Sequence, residues 1–368
     1  MTAVRPPAIG WDLPSFYCPL DDFGRHPLVD VLDEQAFAWA DSFGLYPNNT
    51  ERSWARAIHN ADFVGRMMPR GSAETLLLFL KWNYWAWSLD DWHDSAVEAG
   101  RTSQVVDHSV RVLRTLECAD STLLGPGSAS AALIDLAQDT RATLTPYQMH
   151  RLCNGTRDWL MGACWQTRNT EQRVMPTLND FAAVRMSVNG TFFSLAFSEV
   201  ANDIHVPPAA QHAAPVRALT DSAGFIVGCD NDLFSYAQDD HHNPCAQNLV
   251  NVIAHHTGST PREALRPAVA LRDRAMTLFT TLREQVGRDA DEPLQRYLDA
   301  LGQYIAGCIR WMSAAPRYAS PRNRHPLPVV GARYDITITD HPSDPSTAAP
   351  PIPSIAWWWT QLDASAAE

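Results

Sequence analysis

Between Leu28 and Pro316 the apolar residues recur almost throughout at steps of three and four, and no alternating strand-like run occurs before residue 330. That period marks one face of an α-helix. In LVDVLDEQAFAWADSFG the residues Val29, Leu32, Ala36, Trp39 and Phe43 share a face, and Gly44 ends the run. Ser72 to about Asp94 reads as a long, mostly apolar helix, and Gln104 to Leu116 as an amphipathic one. Thr145 before Pro146 is a helix start, because proline at the first helical position loses no hydrogen bond. Thr177 caps a run expected to reach Val200. Asp221–Asp240 and Arg296–Ala314 read as helices, and Thr260 and Glu263 have capping-box spacing. One strand-like stretch stands at Tyr334–Ile338. The sequence thus predicts an all-α fold, a single-domain helical bundle over residues 16–318. A flexible segment precedes it at 1–15 and a proline-rich tail follows at 319–368. Residues 340–356 of the tail are expected to be loose, with Trp357–Trp359 either tacked to the body or exposed.

Composition narrows the function classes. With 45% hydrophobic and 19% charged residues, the 368-residue chain has material for one large core or two ordinary ones, and global disorder is excluded. A net charge of −12 argues against nucleic-acid partners and against an anionic membrane surface. Leu76–Leu80 is as long as any apolar run, far short of the roughly 20 residues of a membrane span. The start MTAVRPPAIGWD lacks signal-peptide features. The seven cysteines are scattered and never spaced CxxC, the pattern of reduced thiols, so a cytoplasmic protein is expected. Self-association as a homodimer is left open. The 13 tryptophans and the excess of Asp over Glu demand an explanation.

Two polar motifs supply one. Residues 88–95 read SLDDWHDS, at the expected end of the first long apolar helix. Asp90 and Asp94 lie one turn apart, and Asp91 about 100° around. Carboxylates this close repel unless cations lie between them, and oxygen clusters suit Mg²⁺. Negative charge at a helix C-terminus opposes the dipole, at a cost of about 0.3–1 kcal/mol per charge. A cluster kept there leans functional rather than merely solvated. Residues 231–239 read NDLFSYAQD, and Asn231, Ser235 and Asp239 at steps of four fall on one face over two turns. Amide, hydroxyl and carboxylate make a hard, oxygen-only set suited to Mg²⁺.

DDxxD followed far downstream by NDxxSxxxD resembles the class I terpene synthases of the bacterial type, over about Phe16–Tyr318. The resemblance implies a class I terpenoid synthase bundle whose two motifs face each other across its mouth. There they hold three Mg²⁺ ions and the diphosphate of a linear isoprenyl substrate. It implies Asp90 and Asp94 as first-motif ligands, Asp91 in support beside a basic side chain, and Asn231, Ser235 and Asp239 as the second site. Arg185 in VRMSVNG resembles the family's diphosphate-sensing arginine, and Arg317–Tyr318 its C-terminal Arg-Tyr pair. Arg333–Tyr334 competes for that role without a tryptophan six residues before it. The chain departs from the pattern at Asp239, where Glu is commoner, and at Gln238, where many members carry a cation. It also has Asn189 and Gly190 where a small effector residue is usual.

The implied reaction breaks a carbon–oxygen bond, releases diphosphate and leaves an allylic cation that water would quench. An apolar pocket with aromatic faces excludes water and attracts cations. Trp87, Phe192 and Trp311 are the expected pocket aromatics, with Asn189 and Gly190 beside them. Farnesyl diphosphate is favoured over geranylgeranyl diphosphate, by family habit and because large aromatics shrink a cavity. A terpene hydrocarbon or alcohol would result. Asp240–His242 and His255–His256 lack the i, i+4 His pair of a helical zinc site and read as surface. A chain-elongating prenyl transferase would resemble two DDxxD motifs, and this chain has one. A non-catalytic isoprenoid-binding bundle is the other rival.

Overall fold

The computed structural model describes residues 13–118, 123–242, 246–320 and 327–363, with residues 237–242 described by backbone alone. Helices α1 (Val29–Phe43), α2 (Asn49–Ala57) and α3 (Asn60–Met67) lead into the 26-residue α4 (Ala73–Glu98). Then come α5 (Thr102–Glu117), α6 (Ser128–Thr143) and α7 (Pro146–Gln172). The middle of the chain forms α8 (Leu178–Val188), α9 (Thr191–Ala201), the single turn α10 (Pro208–Gln211) and the 29-residue α11 (Ala214–His242). Next are α12 (Leu249–Thr257), α13 (Pro261–Gly287), α14 (Glu292–Ala314) and the four-residue α15 (Pro316–Ala319). The last helix is the short α16 (Pro353–Ala356).

The starts are encoded locally. Thr145 and Thr260 each form both halves of a capping box, with Gln148 and Glu263, and each is followed by proline. Long helices then pack around one hydrophobic core, α4 against α1, α3 and α6, and α11 against α8, α13 and α14.

Four expectations need correction. Helix α4 runs to Glu98, so Asp90–Asp94 sit inside its last turns rather than at its end. The dipole penalty there is correspondingly weaker, since it fades beyond the last turn. The run after Thr177 is not continuous to Val200: Asn189 and Gly190 break it, and Gly190 has φ +68°. A left-handed residue ends the first helix and redirects the second. The strand expected at Tyr334–Ile338 is only β2 (Ile338–Thr339), paired in parallel with β1 (Phe16–Tyr17).

Finally, the described tail is docked rather than loose. Ile352, Ile355 and Trp358 are buried, Ser354 bonds Asn179 through its backbone N–H and its hydroxyl, and Asp344 pairs with Arg274. Prolines forbid helix but not an extended strap anchored by apolar side chains. No described helix is long and apolar enough to cross a membrane. The six described cysteines are free thiols, and Cys245 lies outside the described residues.

Candidate active site

Helix α11 carries Asp230, Asn231 and Asp232 in succession, and each meets a different neighbour. Asp230 is wholly buried and takes two hydrogen bonds from Arg272 of α13, at 2.7 and 3.1 Å. Asp232 is buried on Arg185 of α8, which donates to both its oxygens at 3.0 Å. Two arginines from different helices therefore fix the rotation of α11 on either side of Asn231. Arg185 lies close across α11 because residue 228 is glycine, where a Cβ would stand 2.9 Å from the arginine's Cγ.

Asn231 sits between two expected site residues. Its Oδ1 accepts from Arg185 at 3.0 Å, and its Nδ2 donates to the Tyr318 hydroxyl at 2.9 Å. Tyr318 is buried, edge-on to Trp311 at 5.6 Å, and its neighbour Arg317 turns the other way, to α4. The Arg317 guanidinium lies 3.8 Å from Asp91 and 4.7 Å from the centre of the Trp87 ring. Burial works against its charge, yet Asp91, Asp90, Tyr318 and Asp94 together hold its pKa above the ordinary arginine value. All three aspartates thus act on one cation. Asp90 and Asp91 are half-buried and Asp94 is exposed.

Adjacent residues of α15 therefore bridge two motifs about 140 positions apart in the chain. Arg333 instead lies largely exposed beside Asp335, which leaves the bridging place to Arg317–Tyr318. Ser235 follows Asn231 by one turn and is half-buried. Asp239 continues the same helix, but its side chain lies outside the described residues, as do those of Gln238, Asp240, His241 and His242. His255 and His256 are exposed. Among the described residues no three His, Cys, Asp or Glu side chains converge as a ready-made metal cage. An open oxygen set of this kind suits a hard cation that keeps water or phosphate oxygens in its remaining positions.

Trp87 and Trp311 are neighbours, their ring centres 6.4 Å apart and their planes tilted by 52°. Phe63, unforeseen in the sequence, lies 4.6 Å from Trp311. Phe192 is half-buried, and it is the next residue, Phe193, that enters the inner cluster with Phe79, Trp82, Trp159 and Phe197. Asn189 donates to the Gly224 carbonyl at 3.1 Å and pins the α8–α9 break to α11. Asp232 also escaped the sequence reading, although it stood in view as the second letter of the motif, and Tyr334 entered it only through the competing Arg-Tyr pair and the strand-like stretch. A surface groove of about 550 Å³, lined by Tyr17, Leu20, Thr280 and Arg283 among others, contains none of these residues.

A helical bundle that joins an aspartate cluster, an Asn/Ser helix face and an Arg-Tyr pair beside two neighbouring tryptophans defines the class I terpenoid synthases. Residues 81–277 match the model of terpene synthase family 2, C-terminal metal binding. The bonnadiene synthase of Allokutzneria albata is 30% identical over 95% of this chain and 97% of its own length. The spiroviolene synthase of Streptomyces violens is 32% identical over 95% and 96%. The crystal structure of the SVS_A2 protein, from ancestral sequence reconstruction, superposes with a TM-score of 0.82. It is 33% identical and covers 95% of this chain and 99% of its own. The chain belongs to the terpene synthase family, and it is a class I terpene cyclase of the metal-binding type.

Proposed function

We propose that this enzyme ionises a linear isoprenyl diphosphate of fifteen or twenty carbons and cyclises the cation to a terpene hydrocarbon or alcohol, acting as a carbon–oxygen lyase with Mg²⁺. One observation carries the reading: Arg317 pairs with Asp91 while the Tyr318 hydroxyl accepts from Asn231, so both polar motifs meet one Arg-Tyr pair. Asp90 and Asp94 on one side, and Asn231, Ser235 and Asp239 on the other, would hold three ions once the diphosphate arrives. The donor set fits: it is oxygen-only, and an amide oxygen has a second lone pair beyond the one Arg185 uses. Bound Mg²⁺ would neutralise charge growing on the leaving diphosphate.

The chain's own groups do the rest. Arg317 and Tyr318 donate to the diphosphate as the carbon–oxygen bond breaks and its electron pair leaves with oxygen. Arg185 senses the diphosphate from behind Asn231. Trp87 and Trp311 present aromatic faces to the allylic cation and offer no nucleophile. A chain double bond then attacks the cation, and proton loss or capture of one water ends the sequence.

Chain length is read against more distant relatives. A muurolol synthase of Streptomyces clavuligerus, 24% identical over 94% of this chain, is named as cyclising farnesyl diphosphate. A Streptomyces diterpene cyclase is 27% identical over 96%. Both lengths therefore belong in the test. The protein is incubated with farnesyl or geranylgeranyl diphosphate and Mg²⁺ under an organic overlay, with chelated controls, and the extracts are analysed by mass spectrometry. Cyclic product from one substrate, lost on chelation, is expected. Intact substrate in every vessel defeats the reading, and product that appears only with an added five-carbon diphosphate would make it a prenyl transferase.

A further inference from the structure

The Arg317–Tyr318 pair stands on a helix of four residues. A single turn has almost no stability of its own, so tertiary contacts must impose its direction. The side chains of the pair face the two motifs, which leaves its backbone to be held by something else. Near a helix C-terminus carbonyls lack intrahelical partners. The carbonyl of Tyr318 is one of these, and it accepts the hydroxyl of Tyr334 at 3.1 Å.

Tyr334 is tied down in its turn. Its backbone N–H donates to the Ser313 carbonyl, near the end of α14, at 2.8 Å. Its half-buried ring packs against Phe234 at 5.9 Å. Phe234 belongs to α11, three residues after Asn231, is fully buried, and lies 6.2 Å from the Tyr318 ring. Phe234 also stacks on Phe16 of β1 at 4.9 Å. One strap residue thus touches α14, α15 and the second polar motif's helix together.

We propose that Tyr334 is a positioning residue, one that holds the Arg317–Tyr318 pair in register with the two polar motifs and so sets how tightly the diphosphate is gripped. This rests on the function proposed above. A neutral hydrogen bond is worth about 0.5–1.5 kcal/mol net, or about 2–10-fold in an equilibrium constant. An effect of that size belongs on diphosphate binding, because Tyr334 touches no reacting atom.

The test compares Tyr334→Phe, which keeps the ring and removes the hydroxyl, with Arg274→Met, which cuts the same strap's ion pair to Asp344. For each, KM and kcat are measured with the accepted isoprenyl diphosphate, and the Kd of inorganic pyrophosphate is measured in Mg²⁺. Tyr334→Phe is expected to raise KM and Kd about 3–10-fold with kcat within about twofold, and Arg274→Met to leave all three unchanged. Unchanged KM and Kd in Tyr334→Phe overturn the proposal. So does an equal rise in Arg274→Met, since a generally loosened strap would then be the cause. Pyrophosphate binding by a wild-type protein that turns over no substrate sinks the cyclase reading alone, and the Kd comparison still decides the role of Tyr334. A wild-type protein with neither property sinks both.

Discussion

Asn231 uses both ends of its amide inside the protein, accepting from Arg185 and donating to Tyr318, whereas Asp90 of α4 is half-buried. Their removal should be equally harmful to turnover and unequal in stability. Asp90→Ala is expected to abolish product formation, by at least about 100-fold, with a Tm within about 2 °C of wild type. Asn231→Ala should lose as much activity and also a few degrees of Tm, because two hydrogen bonds of about 1 kcal/mol each go with it. Paired product assays and thermal melts check this, and normal turnover in either variant removes that residue from the site. Trp87→Ala, which leaves the Arg317 guanidinium without its aromatic face, should change the product pattern more than the Mg²⁺ requirement. An unchanged product pattern would take Trp87 out of the pocket.

Asp221 gives a separate pH signature. Burial raises its pKa from 3.8 to about 6, against the pull of nearby Arg217. A carboxyl whose folded pKa is raised stabilises fully below the unfolded value and loses that contribution as pH climbs through the folded one. The window is therefore about pH 4 to 6, and the contribution about 2–3 kcal/mol. Urea titrations from pH 4 to 8 should show wild type losing that much relative to Asp221→Asn. Parallel curves for the two proteins would mean the carboxyl is not shifted.

At the scale of elements, two glycines near Arg185 act by different physics. Gly190 has φ +68° with no atom closer than 3.8 Å to an added Cβ, so Gly190→Ala should cost only the left-handed strain, about 1–2 kcal/mol. Gly228 has ordinary helical backbone but would push its Cβ to 2.9 Å from Arg185 Cγ, so Gly228→Ala should displace the arginine and lower kcat. Urea midpoints and kinetics on both variants separate the two. Equal stability loss with no kinetic difference would refute the distinction. The break between α8 and α9 shows why the sequence misleads here. Apolar periodicity continues through Asn189–Gly190, and glycine inside a helical pattern is often tolerated. What breaks the helix is the left-handed Gly190, and the bond from Asn189 to the Gly224 carbonyl, a tertiary contact 35 residues away, pins the break in place. The capped starts at Thr145 and Thr260 were legible because both partners of each cap lie within four residues. The two polar motifs were legible for the same reason, whereas Arg185's partner Asp232, 47 residues away, was not.

Across the whole molecule the tail closes the chain back on its beginning. β2 pairs with β1, Arg272 donates to the Tyr17 carbonyl while holding Asp230, and the last anchors reach α8 and α11. Proline content made this stretch look loose, but proline density reports only what backbone shape is forbidden, and anchoring is decided by a few side chains at the end. Trp358 is the largest of them, fully buried and edge-on to Phe225 of α11 at 5.7 Å. If the strap is part of the folded unit, Trp358→Ala empties a buried site and should cost about 3–5 kcal/mol, read as a lower urea midpoint with an unchanged slope. If residues past 340 dangled in solution, the same change would cost under about 0.5 kcal/mol, as surface substitutions do. The slope carries further information. A strap that unfolds separately from the bundle would broaden the transition or split it between probes, whereas one cooperative unit keeps fluorescence and circular dichroism coincident. Coincidence is expected, because the strap's bonds at Phe16, Cys18, Tyr318 and Asn179 reach elements of the bundle far apart in the sequence.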